Sequence, residues 1–265
     1  MHGAELVVLS QLVELWRGYS FPSRRWVVTA GARAFALAGL ARESSVLALV
    51  PSEPDAEELV DDLGLFATPY LLPAWETLPF EHISPNEATM ARRAEGRVLL
   101  SRAGPGTVMV APVRAAMQRL SPSSPDPVVI KKGDEVSLTD LAIHLAELGY
   151  QRTDRVEARG EFAVRGGILD VFPAQAADAI RIDLFGETVE GLRRFSVSSQ
   201  RSTDPVEEMI AYPAREFRPD TEVRRRALEL VRTEPWAAGT WDRLAEGQIF
   251  SGMESWLPWL AEPRS

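Results

Sequence analysis

Ser121-Pro122-Ser123-Ser124-Pro125-Asp126-Pro127 puts three prolines into seven residues, and the pattern of the chain changes across it. Proline fixes φ and removes a backbone donor, so this stretch reads as a stiff polar linker and the clearest boundary in the chain. Upstream, short apolar runs alternate with helical stretches. Trp26-Val27-Val28-Thr29, Ser45 to Val50, Thr68 to Leu72 and Thr107 to Val110 read as strands. Gly31 to Leu40, Asp55 to Phe66 and Val113 to Leu120 read as helices. A longer helix follows Ser84, with Ser84 as its cap, Pro85 at the first helical position and Glu87 completing a capping box. Gly104-Pro105-Gly106 ends that helix. Alternation of this kind predicts a mostly parallel sheet covered on both faces.

Downstream, Val128 to Ile130 is a strand, and Ser137 caps a helix that Gly149 stops. Strands are then expected over 156–165, 168–172, 179–185, 193–197 and 206–212, with turns at Gly166-Gly167 and Gly186-Glu187. This is an α+β unit with an antiparallel sheet packed on a helix. From Pro213 the chain reads as helical. The expected domains are 1–120 (parallel α/β), 128–212 (α+β) and 213–265 (a helical return segment packing on the first). Trp241, Trp256 and Trp259 have no later strand to absorb them, and the end at Pro263-Arg264-Ser265 is abrupt, so a fragment of a longer protein is expected.

The composition is that of a globular protein: 265 residues, 45% apolar and 25% charged. With 38 acidic and 29 basic residues the net charge is -9, which argues against generic binding to nucleic acid or to an anionic membrane. The absence of cysteine excludes disulfides and thiolate chemistry. His2, His82 and His144 are isolated and none stands at a metal-ligand spacing, which argues against a metalloenzyme or a Ser-His-Asp hydrolase. With no signal peptide and no long apolar run, a cytoplasmic protein is the default.

Ala179-Ile180-Arg181-Ile182-Asp183-Leu184-Phe185-Gly186 alternates with period two. Ile180, Ile182 and Leu184 point to a core, and Arg181, Asp183 and Phe185 point to water. Exposing a phenylalanine forgoes roughly 1.5–3 kcal/mol of burial. An aromatic and an arginine on one exposed sheet face have the composition of a protein-binding hot spot. The competing reading is that Phe185 ends its strand and folds under a neighbouring loop.

Phosphates bind at the first βα turn of an α/β fold. Here that turn offers Val27, Ala32, Arg33 and Ala34 where a Walker A loop needs Gly, Gly, Lys and Ser/Thr. Ala34 has no magnesium ligand and Arg33 is no substitute for the lysine. The loop has the shape of a phosphate site without its chemistry, so no nucleotide cofactor is expected in this chain.

Several motifs now carry a family resemblance. Leu71-Leu72-Pro73-Ala74-Trp75-Glu76-Thr77-Leu78-Pro79-Phe80, Ser84-Pro85 and Arg92-Arg93 resemble the N-terminal region of the bacterial transcription-repair coupling factor (Mfd) family. So do Gly160 to Pro173, Arg181 to Gly186 and Phe195 to Arg201. That region is similar to the excision-repair helicase UvrB. The resemblance implies a degenerate P-loop-like parallel-sheet domain (1a), an inserted α+β domain 2 and a returning segment 1b. It also implies that the whole protein binds stalled RNA polymerase, moves on DNA with ATP and magnesium, and recruits UvrA through domain 2. The motor lies downstream of these residues, so this stretch is expected to be non-catalytic. A C-terminal domain covers the UvrA face in the family's resting state.

Carried across by motif, the UvrA-contacting residues are Arg165, Arg181 and Phe185, with Asp183 at a UvrB carboxylate position and Arg152 at a UvrB arginine position. Ala163 departs from UvrB, which has arginine there. UvrB's tyrosine-rich DNA hairpin corresponds to 75–84, a short loop here, and no Lys or Arg occurs between 70 and 90. Single-strand binding needs stacking platforms interleaved with basic residues. A UvrA-binding module is therefore expected, with a UvrB-type DNA-binding module as the alternative and a cryptic nucleotide hydrolase behind it.

Overall fold

The computed structural model describes residues 27–78, 81–120 and 125–260. They form a mixed α/β structure in two compact units. One runs to Ala74 and resumes over Gly96–Gln118; the other takes Trp75–Glu95 and the chain from Arg119 on.

In the first unit the elements are α1 (Arg33–Ala41), β1 (Val46–Val50), α2 (Glu53–Leu63), β2 (Pro69–Leu71), the C-terminal half of α3 (Glu87–Ser101), β3 (Val108–Pro112) and α4 (Val113–Met117). The three strands are parallel in the order β1-β3-β2. Ala34 and Ala38 of α1, with Ala56, Leu59 and Leu63 of α2, pack on Ala48, Val50, Val108 and Val110. On the other face Met109 and Ala111 meet Leu72, Ala115, Leu99 and Leu100. Ser52 caps α2 by accepting from the Asp55 amide.

Two expectations are corrected here. Val27–Thr29 is not a strand; it is irregular backbone entering a 3-10 turn at Ala30–Ala32, and Val27 faces solvent. A β-branched run is a strand only where a neighbour pairs with it, and none of the described residues does. The first βα turn inferred at 27–34 therefore does not exist among the described residues; Trp26 lies outside them. Nor does Ser84 cap α3. The Asn86 Oδ1 accepts from the Ala88 amide at 2.8 Å, while the Ser84 hydroxyl donates to Glu254 and accepts from the Gly252 amide.

The second unit contains β4 (Val128–Lys131), α5 (Leu138–Glu147), β5 (Gln151–Arg152), β6 (Glu161–Arg165), β7 (Ile168–Val171), β8 (Ala179–Phe185), β9 (Thr188–Phe195), β10 (Ser202–Val206) and β11 (Glu208–Ala211). Strands β10-β9-β8-β7-β6-β5 form one six-stranded sheet, antiparallel throughout except for the β5–β6 pair. β4 and β11 form a separate antiparallel pair. Ser137 caps α5, whose Leu141 and Leu145 pack on Phe162, Leu169, Ile180, Ile182 and Leu192 from one face of the sheet. Pro205 sits in β10, an edge strand, where a missing donor is tolerated.

The chain then becomes helical: α6 (Thr221–Thr233), α7 (Ala238–Ala245) and α8 (Leu257–Leu260). Trp236, Trp241, Trp256 and Trp259 meet there ring to ring at 5.0–6.5 Å, which is where the late tryptophans go. No helix among the described residues is long and apolar enough to cross a membrane.

Candidate partner-binding face

The face of the six-stranded sheet opposite α5 is assembled by two tight hairpins. Gly166-Gly167 joins β6 to β7 and Gly186-Glu187 joins β8 to β9, so Arg165 and Phe185 arrive at the same end of the sheet. Gly186 has φ +64, a conformation that favours glycine, and a Cβ on Gly167 would stand 2.6 Å from the Leu184 carbonyl oxygen. Register then fixes which residues are neighbours. Ala163, Asp170, Arg181 and Arg193 lie in one cross-strand row, and Arg165, Ile168, Asp183 and Gly191 in the next. Phe185 faces Thr188 beyond a bulge between Asp183 and Leu184.

Phe185 does not fold under a loop: it is 80% exposed. Asp183 is half-buried beside it. Arg181 differs from the outward-pointing cation expected. Its Nε and Nη2 donate to the two oxygens of Asp170 at 2.6 and 2.8 Å, its Nη1 reaches the Gln200 carbonyl at 3.4 Å, and its guanidinium lies over the Phe195 ring at 5.2 Å. The paired hydrogen bond holds the Arg181 guanidinium above its ordinary pKa, against the partial desolvation that lowers it. Arg165 Nη2 donates to the same Asp170 at 2.7 Å. Asp170 is thus a buried carboxylate (side chain 1% exposed) under two arginines, of which Arg181 keeps 18% and Arg165 49% of its side-chain surface in solvent. Charge-assisted, partly bidentate pairing fixes both guanidinium planes.

Two further residues are placed otherwise than expected. Ala163 shares its strand face with Arg165, and alternation alone would expose it, but Val156, Phe172, Phe195 and Val197 bury it, and Glu161 pins the covering loop by accepting from the amides of Glu157 and Ala158. Arg152 does not join the patch. β5 runs parallel to β6 with Arg152 opposite Phe162, and its side chain lines a groove on the other face with Ala142, Ile143, Phe162 and Val164. The structure therefore brings Arg165, Arg181, Asp183 and Phe185 together and leaves Arg152 apart.

Ile168 and Arg193 belong to the same face and were missed from the sequence. Ile168 sits half-buried between Arg165 and Asp183 in the second row. Arg193 was missed because β9 was expected to begin there; it begins five residues earlier, at Thr188. The alternation of Leu192 inside and Arg193 outside was the available signal.

The face thus combines a buried carboxylate, two arginines paired to it and an exposed ring. Residues 128–217, which include this sheet, match the UvrB interaction domain family. The recognition made from the motifs is borne out along most of the chain. It is 35% identical over 252 residues to the transcription-repair-coupling factor of Mycobacterium bovis, covering 88% of this chain and 20% of that protein. It is 32% identical over 233 residues to the factor of Escherichia coli, covering 82% of this chain and 20% of the relative. UvrABC system protein B of Pseudothermotoga lettingae is 32% identical over 129 residues, 48% of this chain and 20% of that protein. The chain is related to the transcription-repair-coupling factors and, over a shorter stretch, to UvrB; it spans about one fifth of the length of these relatives.

Proposed function

We propose that this chain is the recruiting module of a transcription-repair coupling factor, and that its UvrB interaction domain binds UvrA through Arg165, Arg181, Asp183 and Phe185. Arg152 stands on the opposite face and would contact UvrA only through a second surface. The observation that carries the reading is the exposed Phe185 ring on the same sheet face as two arginines held rigid by one buried carboxylate. A preorganised guanidinium pair loses little side-chain entropy on binding, and an aromatic anchor at its border supplies the apolar area.

In this reading the first unit is a degenerate P-loop-like domain into which the α+β domain is inserted, and the chain binds no nucleotide of its own. ATP, magnesium, the polymerase and DNA engage the parts of the parent beyond this chain, whose own C-terminal domain masks the face, and the whole acts in the cytoplasm. Calorimetric titration of UvrA tests the core of it. Phe185→Ala should weaken binding by about 2 kcal/mol or more, with an unchanged melting temperature because the ring buries little in the free chain. Unaltered affinity in that variant rejects the assignment. For the DNA-binding alternative, the discriminating result is tight, salt-sensitive retardation of single-stranded DNA by this chain.

A further inference from the structure

Arg193 stands directly opposite Arg181 across the β8–β9 pair, on the same face as Asp170. Like charges in that position repel. Arg181 has its counter-charge on the other side, in Asp170 at 2.6 Å. The Arg193 side chain is exposed and makes no hydrogen bond or ion pair with any described residue. Its chain neighbour Arg194, on the opposite face, does find a carboxylate, Asp178 at 3.3 Å. Asp183 is one register step away, opposite Gly191, where an added Cβ would meet nothing within 4 Å. The row therefore holds two cations over one carboxylate, with open space over Gly191 in the next row.

Resting on the UvrA reading, we infer that Arg193 is a further contact residue of this face, and that UvrA presents it an aspartate or glutamate side chain. The partner's carboxylate takes the place that Asp170 takes for Arg181. It accepts from the Arg193 guanidinium and relieves the Arg181–Arg193 repulsion on docking, on the sheet face that also carries Phe185. A planar guanidinium is suited to such two-point recognition of a carboxylate. The free chain thus carries a charge conflict that the complex resolves.

The test pairs melting with binding in the 265-residue chain. Arg193→Glu supplies the missing carboxylate from within, opposite Arg181. The expected result is a higher melting temperature than wild type together with UvrA affinity weakened by about tenfold or more. Arg193→Ala should relieve the repulsion and also weaken binding, less severely, and should flatten the salt dependence of binding. Wild-type affinity in Arg193→Glu, or a melting temperature that fails to rise, overturns the inference. Phe185→Ala serves as the control for the underlying reading. If wild type itself does not bind UvrA, that reading fails, and the melting comparison decides the charge conflict by itself.

Discussion

Arg93 with Glu216, and Arg181 with Asp170, are built from the same two groups in the same unit of the chain. Arg93 Nε and Trp75 Nε1 both donate to Glu216 Oε2 at 2.7 Å, and the Arg93 guanidinium lies 5.2 Å from the Trp75 ring centroid. Both side chains are sealed, at 0% and 1% exposure. Burial pushes the Glu216 carboxyl up, and Arg93 and Trp75 pull it back. Asp170 is buried to the same degree, but its arginines reach the surface. The difference lies in where the cation ends. A cation shut inside with its carboxylate can only hold the fold. One that leaves its carboxylate at the bottom of a sheet face and surfaces above it can hold the fold and meet a partner.

The sealed pair should show the largest stability effect. Glu216→Ala takes the acceptor from both Arg93 and the Trp75 indole inside a region with almost no solvent. Breaking a buried ion pair from one side typically costs about 3–5 kcal/mol. Urea denaturation followed by tryptophan fluorescence reads this directly, since Trp75 and the four-tryptophan cluster share one core. A loss under about 1 kcal/mol would show that water reaches Arg93 in solution and would collapse the distinction from the open pair.

Asp170→Asn sharpens the comparison from the other side. It keeps the shape and removes the charge beneath two guanidinium groups that are already partly hydrated. The expected loss is smaller, about 1–3 kcal/mol, and it should come with weakened UvrA binding, because Arg165 and Arg181 lose their fixed orientation. Stability falling while affinity stays unchanged would mean that Asp170 serves the fold alone. The same geometry bears on Arg181→Ala, which leaves Asp170 buried with Arg165 as its remaining partner. Some destabilisation must then be subtracted before any binding loss is read as contact energy.

These two clusters also mark what can be read from residue order. Period-two alternation in Ile180, Ile182 and Leu184 located β8 and its exposed partners, since inside and outside alternate by local geometry alone. The three parallel strands were legible as short apolar runs between helices, and the Ser137 cap as a short polar side chain just before an apolar-periodic stretch. Asp170 was not, because nothing in Gly167-Ile168-Leu169-Asp170-Val171 says that two arginines from β6 and β8 converge on it; only register does. Ala163 was misread because loops distant in sequence cover it, and Arg152 because a parallel pairing turns it to the other face. Nor does residue order tell Arg93 from its neighbour Arg92; a buried glutamate 123 residues away makes Arg93 interior.

The smallest effect is expected where arginine and carboxylate are both outside. On α6, Arg225 bonds Glu222 and Glu229, one turn before and after it. Three charges in contact look stronger on geometry than the Asp170 cluster. Arg225 and Glu222 sit largely in solvent, however, and Glu229 is only half-buried, so water competes for every donor, salt screens the attraction, and three long side chains must be ordered to hold the arrangement. Pairing with Arg225 draws the Glu222 carboxyl below its usual pKa, yet Glu222 itself is fully exposed, so that shift carries little stability. Arg225→Ala should therefore leave both the denaturation midpoint and UvrA affinity where they were. A clear fall in the midpoint at physiological ionic strength would show that burial of the carboxylate is not what separates the working ion pairs of this chain from its decorative ones, and the contrast between Asp170 and the surface helix would have to be redrawn.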